Sequence, residues 1–504
     1  MSNHPAPKDP SIPILSREDV ASHNTKEDCW VILHGRVYDL TDFLSRHPGG
    51  AAVILKVAGR DGTTAFAAVH PPDMVDMLPD SACVGQMDPE IEAARKASGE
   101  VSPEEKARLL RVSKCPPLDA CLNLMDFESA AQTALSPEAW AYYSSGSDDE
   151  ITLRDNRAAF QRVWLRPRVL VNVLDIDIST RILGHPISFP LYITATALGR
   201  LGHPDGEVAL TRAAGISGIP QMLPTLASCS LEEMTQARSS DQVQFYQLYV
   251  AQNRDHTARL VRAAEARGCK GLFITVDAPQ LGRREKDMRM KFIEEAPKEQ
   301  DESTAGRDEG AARAISSFIH PGLQWSDLPW FRSITRMPII LKGIQCGEDA
   351  VRAAQAGVDG IVLSNHGGRQ MDTAPSGIEA LAEAVAALSA AGIPKGRMEL
   401  YMDGGVRRGS DIFKALALGA TAVGLGRPLL YAMSAYGSEG VVRALRILQE
   451  ELIMTMRLMG TPTIQDIRPE HVNASMVSVH SSSVPEDSLS RALYQPLKAP
   501  QSKL

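Results

Sequence analysis

Eight short apolar runs recur along the chain, at residues 191–196, 218–222, 244–250, 271–277, 338–344, 360–365, 400–405 and 422–427. They are rich in β-branched and aromatic residues and bounded by Gly, Pro or polar positions, the pattern of buried strands. Between them lie stretches with apolar residues three and four apart, among them DHTARLVRAAEARG, GEDAVRAAQAG, GIEALAEAVAALSAAG and GSDIFKALALGA, which read as amphipathic helices. Strand–helix alternation repeated over roughly 250 residues predicts an α/β fold, a (β/α)8 barrel. A doubly wound open sheet shares the alternation, but the GxGxxG or P-loop it normally carries after its first strand is absent. About 60 residues separate the fourth and fifth runs, a length that marks either a mobile loop over the barrel mouth or a surface insertion. Their central stretch, KFIEEAPKEQDESTAGRDEGAARAISS, is charged and poor in apolar residues.

The N-terminal part follows another rhythm, with short strands and helices around Trp30, Val31, Val37, Tyr38 and Phe43. The expected organisation is a flexible N-terminus over 1–10, a small α+β domain over 11–88, a linker or exposed helix over 89–117, the barrel domain over 118–480, and a tail over 481–504.

Composition narrows the function. A 504-residue chain with 44% hydrophobic residues and a net charge of −8 has the balance of an ordinary globular protein and argues against nucleic-acid binding. No apolar run is long enough for a membrane span, and no signal core or Arg-rich presequence is visible. The seven cysteines are scattered without a CxxC, so neither a zinc site nor a disulfide framework is expected.

Histidines at positions 4, 23 and 34 read as structural or surface residues, but His47 and His70 differ. His47 precedes Pro-Gly-Gly, a turn whose glycines leave room for a flat ligand, and His70 follows in AAVHPPDM. Two imidazoles at opposing helix ends can clamp one iron axially. The run DCWVILHGRVYDLTDFLSRHPGG resembles cytochrome b5, which implies noncovalent haem b with His47 and His70 as axial ligands, and a domain that moves electrons.

In the barrel, polar residues gather at the predicted C-terminal strand ends, where such folds place their chemistry. SNHGGRQMD sets His366, a base with a suitable pKa range, beside Arg369, a bidentate carboxylate clamp. Asp277, in TVDAP, can orient the imidazole. DGGVRRG and GLGRP place arginines where barrels bind phosphate, and Lys342 offers fixed charge to a cofactor that becomes anionic on reduction.

Together these motifs resemble the FMN-dependent α-hydroxy acid oxidising family, from about residue 118 to 467. The haem-then-barrel tandem is similar to the flavocytochrome b2 type, supported by AWAYYSSGSDDE, TLASCS, QLYV and VDAPQLGRREKDM. The resemblance implies His366 as the base with Asp277 as its partner. It implies carboxylate binding by Arg369 and Tyr142, contact with the hydroxyl side by Tyr249, both tyrosines counting as catalytic too, and a second positive charge at the substrate from Arg284. FMN contacts would come from Thr194, Ala195, Thr196, Ala197, Gln247, Thr275, Lys342, Ser364, Asp403, Gly404, Gly405, Arg407, Gly426 and Arg427. Ala197 and Leu226 would line a pocket for a short acid such as L-lactate, with electrons passing to haem and then to cytochrome c or another carrier. A homotetramer is implied as well.

Pro224 stands where the family has a hydroxyl residue near the flavin. Two other readings stand beside the dehydrogenase: an oxidase that reduces O2 to H2O2, and a haem-binding sensor or scaffold with a silent barrel. Ser502-Lys503-Leu504 matches a peroxisomal address, whereas the flavocytochrome b2 resemblance points to the mitochondrial intermembrane space, and the cytoplasm is a further alternative.

Overall fold

The computed structural model of the protein describes residues 12–47, 50–88, 103–294 and 319–480. The expected flexible N-terminus, the first half of the expected linker, most of the charged segment expected as a mobile loop, and the tail with its Ser-Lys-Leu lie outside the described residues.

The N-terminal domain is a four-stranded sheet of β1 (Ile14–Leu15), β2 (Trp30–Leu33), β3 (Arg36–Asp39) and β4 (Cys83–Met87), in the order β1-β4-β3-β2. Its core gathers Cys29, Val31, Leu33, Tyr38, Leu40, Leu44 and Ile54, with Phe43 and Phe66 packed against them. His23 stacks on Trp30 at 3.6 Å between ring centroids and bonds Asp28, the structural role expected of it. The helix Pro103–Val112 occupies the second half of the expected linker and ties to the barrel domain through Arg111 Nε, which donates to the Ala134 carbonyl.

The eight apolar runs form a closed parallel barrel: β5 (Leu191–Ile193), β6 (Gln221–Leu223), β7 (Gln244–Leu248), β8 (Leu272–Thr275), β9 (Ile339–Ile344), β10 (Gly360–Leu363), β11 (Glu399–Asp403) and β12 (Ala422–Leu425). Alternate residues point inward, so Tyr192, Met222, Phe245, Phe273, Ile340, Val362, Tyr401 and Ala422 fill the interior. Their neighbours along each strand pack outward on the helices, which is why the strands read as continuous apolar runs. A hairpin, Thr180–Ile182 with His185–Ile187, plugs the N-terminal end: Ile182 joins the interior cluster and the Leu183 N–H donates to the Glu399 carboxylate. The C-terminal end is left for chemistry.

One strand begins later than its apolar run. Gly218 takes φ +64° and Pro220 has no N–H to give the ladder, so residues 218–220 are a turn and β6 starts at Gln221. The final helix, Arg427–Met459, is two helices joined at Gly437, whose φ of 60° is not helical.

Candidate active site and haem site

His366 sits just past β10 at the C-terminal mouth with φ 60°, an uncommon conformation for a residue with a side chain. The turn is held from several directions. Its N–H donates to Ser364 Oγ (3.0 Å), and the Gly368 N–H donates to Asn365 Oδ1 (3.0 Å). Asn365 and Asn156 exchange side-chain amide bonds of 2.8 and 2.9 Å, both residues being buried.

The imidazole is gripped at both nitrogens: Nδ1 lies 3.1 Å from Asp277 Oδ1, and Nε2 lies 3.0 Å from Tyr249 Oη. Burial pushes the His366 pKa below the usual imidazole range; Asp277 pulls it back up and Lys342 adds to the depression. Burial alone would raise Asp277, but the adjoining imidazole and the Lys342 ammonium hold its carboxyl below the ordinary range. Burial raises the Tyr249 phenol strongly, so it stays protonated and can donate. Gly343, with φ +114°, makes the His–Asp pair possible, because a Cβ there would lie 2.5 Å from Asp277 Cβ.

Two guanidinium groups face this pair. Arg369 Nη1 donates to the Tyr142 carbonyl (2.6 Å), and its Cζ lies 4.8 Å from the Tyr142 ring centroid. Arg284 is buried, and its Nε meets no hydrogen-bond partner among the described residues. Burial, then the charge of Arg369, lowers the Arg284 pKa to about 10. Two cations crowded together next to a base suit an anionic substrate.

On the flavin side, Lys342 Nζ donates to Ser364 Oγ (3.2 Å) and lies 3.4 Å from Asp403. Burial works against its charge, yet Asp403 and Asp277 keep the ammonium above its ordinary range. Ser364 and Thr194 both donate to Asp403, and Gln247 Nε2 donates to Thr275 Oγ1 (2.9 Å). Pro224 is buried, and the adjoining Thr225 supplies a hydroxyl that donates to the Gln247 carbonyl and accepts the Tyr249 N–H.

The donor set fits FMN. Thr196 Oγ1 and Arg407 Nε are buried without a hydrogen-bond partner among the described residues. Gly404 and Gly405 take φ of +89° and +86° beside them, the backbone that anion-binding turns use. Arg427, expected on the phosphate, also donates to the carbonyls of Tyr143, Ser145 and Gly367, bracing the turn after His366.

In the small domain, the His47 and His70 ring centroids are 6.1 Å apart. Two metal–imidazole bonds of about 2 Å each, plus the ring radii, span nearly that distance. His47 Nδ1 lies 2.9 Å from the Gly50 carbonyl, which accepts its proton and turns Nε2 toward the partner imidazole. Burial lowers the pKa of both, keeping them in the neutral form that binds metal.

Residues 131–474 match the model of the FMN-dependent dehydrogenase family, and residues 16–88 match that of the cytochrome b5-like heme/steroid binding domain. The chain belongs to the FMN-dependent dehydrogenases. With its haem-binding domain, it takes both FMN and haem as cofactors. It is 49% identical to the L-lactate dehydrogenase (cytochrome) of Wickerhamomyces anomalus, over 94% of this chain and 81% of that protein. A peroxisomal (S)-2-hydroxyacid oxidase of Arabidopsis thaliana is 42% identical over 72% of this chain and 99% of its own length. Among solved structures, the flavin-binding domain of baker's yeast flavocytochrome b2 superposes with a TM-score of 0.70 at 45% identity, covering 78% of this chain and 97% of that one.

The structure brings Tyr142, Tyr249, Asp277, Arg284, His366 and Arg369 to one mouth. It also shows four residues that sequence reasoning passed over. Asn365 and Gln370 lay inside SNHGGRQMD but carried no recognisable chemistry. Gln370 ties the His366 turn to the Asp277 strand, accepting the Gly282 N–H and donating to the Asp277 and Gln280 carbonyls. Asn156 and Glu207 sit on helices without any motif, and only contacts reveal them.

Proposed function

We propose that this protein oxidises an L-2-hydroxy acid, foremost L-lactate, to the 2-oxo acid and sends the electrons through haem to cytochrome c or another one-electron carrier. The observation that carries it is His366, held between Asp277 and Tyr249 and facing two guanidiniums, in a chain that also presents two facing imidazoles. Arg369 and Tyr142 hold the substrate carboxylate, and Arg284 adds a second positive charge. Tyr249 bonds the hydroxyl side, and His366 Nε2 takes the proton lost on oxidation, with Asp277 stabilising the imidazolium. FMN would be held by Thr194 to Ala197, Gln247, Thr275, Lys342, Ser364, Asp403 to Gly405, Arg407, Gly426 and Arg427, and would supply the acceptor for the two electrons and the second proton that the alcohol loses. Lys342 gives that site a positive charge to match reduction. His47 and His70 would hold the haem, which would supply a one-electron relay to the external acceptor.

The helix that ends at His70, Thr63–Val69, packs against the turn Gly199–Leu201 at the barrel mouth, which favours direct flavin-to-haem transfer over reaction with O2. Anaerobic stopped-flow mixing with L-lactate tests the scheme. Flavin bleaching should precede a reduced haem Soret band, and bleaching without haem reduction would favour the oxidase reading.

Assembly as a homotetramer and a peroxisomal address belong to the same proposal. The first follows the family resemblance. The second rests on Ser502-Lys503-Leu504 and on the likeness to a peroxisomal oxidase. An N-terminal fluorescent fusion should mark peroxisomes, and mitochondrial signal indifferent to deletion of residues 502–504 would refute that address.

A further inference from the structure

Glu207 opens the helix Glu207–Ile216 on the outer side of β5 and is wholly buried. Its carboxylate accepts four bonds: from the N–H of Gly199 (2.8 Å), the N–H of Ser228 (3.0 Å), Ser228 Oγ (2.8 Å) and the N–H of Cys229 (3.0 Å). Four donors converge on two oxygens, a pattern a carboxylate satisfies and an amide does not.

These donors belong to two different loops. Gly199 follows β5, in the stretch that begins with Thr194–Ala197. Ser228 and Cys229 follow β6, in the stretch that contains Thr225 and Leu226. Each clamped segment begins two residues after one of the side chains assigned to the substrate pocket: Ala197 in the first loop, Leu226 in the second. Both loops lie close against the start of the Glu207 helix. A Cβ on Gly199 would lie 2.8 Å from the Glu207 nitrogen, and one on Gly206 would lie 2.9 Å from Cys229 Sγ. Arg200 adds a second tie, its N–H donating to Ser228 Oγ (2.9 Å) and its Nη1 to the Ser228 carbonyl (2.7 Å). From the clamp, Leu198 reaches Tyr143, whose Oη donates to its carbonyl (2.6 Å), and Thr225 reaches Gln247 and Tyr249.

We infer that Glu207 is a positioning residue that sets the width of the acid-binding pocket by locking the loops after β5 and β6 to one another. It touches neither substrate nor cofactor. It acts by fixing the distance between Ala197 and Leu226, and so the length of side chain a 2-hydroxy acid can carry. This rests on the placement of those two residues in the pocket.

In Glu207→Gln, the side-chain NH2 faces either Ser228 and Cys229 or Gly199 and Ser228. A hydroxyl can turn to accept, but a backbone N–H cannot, so at least one N–H is left buried and unbonded. The pair of loops should loosen. The measurement is the ratio of kcat/KM for L-lactate to that for L-2-hydroxyhexanoate, read by flavin reduction in full-length, FMN-loaded protein, alongside the melting temperature. That ratio should fall by about tenfold, within the range one to a few methylenes command in an apolar pocket. Ser228→Ala, which removes one donor and keeps the carboxylate, should shift it the same way by less and decides the question if Glu207→Gln does not fold. Leu226→Ala, made in parallel, tests the pocket itself. A ratio that moves in Leu226→Ala but stays within twofold of wild type in the clamp variants overturns the clamp alone, even if their melting temperatures fall. A ratio that moves in none of them overturns the pocket placement and the clamp with it.

Discussion

At the scale of single residues, the site depends on an imidazole kept neutral and oriented. Its pKa is depressed chiefly by burial, so the proton-accepting form persists below the ordinary histidine value of about 6.5. As pH falls, kcat/KM is lost only on passing through this lowered pKa, which places the acid limb below pH 6.5; an acid limb above it would refute the assignment. Asp277→Asn removes the carboxylate that pulls the pKa upward, so the limb should move lower still while the rate drops from lost orientation. Replacing His366 by Gln should leave FMN bound, since the cofactor's contacts are assigned to other residues. Flavin reduction by L-lactate should fall roughly a thousandfold or more, as base and developing charge vanish together. Near-normal reduction by that variant would remove His366 from the mechanism. These residues were legible because their chemistry is written in their side chains and in glycine-bearing motifs. Asn365 and Gln370 were not, because an amide signals nothing until its partners are known.

Elements explain why a positioned histidine survives in a left-handed conformation. The turn after β10 is braced by residues distant in sequence: Asn156 from the helix Ile151–Ala158, and Arg427 from the start of the last helix. Asn156→Ala would leave one N–H and one lone pair of the buried Asn365 amide unbonded, since its bonds to Pro375 and Gly368 remain, a loss of about 1–3 kcal/mol. The melting temperature should fall and kcat should fall with it, whereas a stable variant with unchanged kcat would show that the turn holds without the amide pair. Gly405 lies against the same helix so closely that a Cβ would meet the Asn156 carbonyl at 1.8 Å, so Gly405→Ala should yield protein depleted in FMN, as judged by flavin absorbance. Strand and helix identities were readable from periodicity, since barrel strands buried on both faces leave continuous apolar runs. The start of β6 was not, because Ile219 and Pro220 extend the apolar run through a turn; backbone conformation, not hydrophobicity, sets that boundary.

Across the whole molecule, two separately built sites divide one reaction. The proposed haem ligands are His47 and His70, on turns and helix ends of the small sheet domain, while every residue assigned to substrate and flavin lies between 142 and 427. The two parts were distinguishable in sequence because each carries a local motif. Their contact, the helix Thr63–Val69 against the turn Gly199–Leu201, was not, because docking surfaces leave no periodic trace. The division gives the last prediction. His70→Ala removes one of two facing imidazoles without touching the barrel, so bis-histidine haem binding should be lost and the Soret band should disappear. Nothing in the His366–Asp277–Tyr249 arrangement depends on His70, so flavin reduction by L-lactate should keep its wild-type rate. A small artificial acceptor that reaches the flavin should still be reduced, whereas cytochrome c, which needs the haem, should be reduced at no more than a few per cent of the original rate. His47→Ala should give the same split, because either ligand alone leaves the iron without its axial pair. Undiminished cytochrome c reduction by haem-free protein would mean that electrons leave the flavin directly, and the small domain would then need a different role.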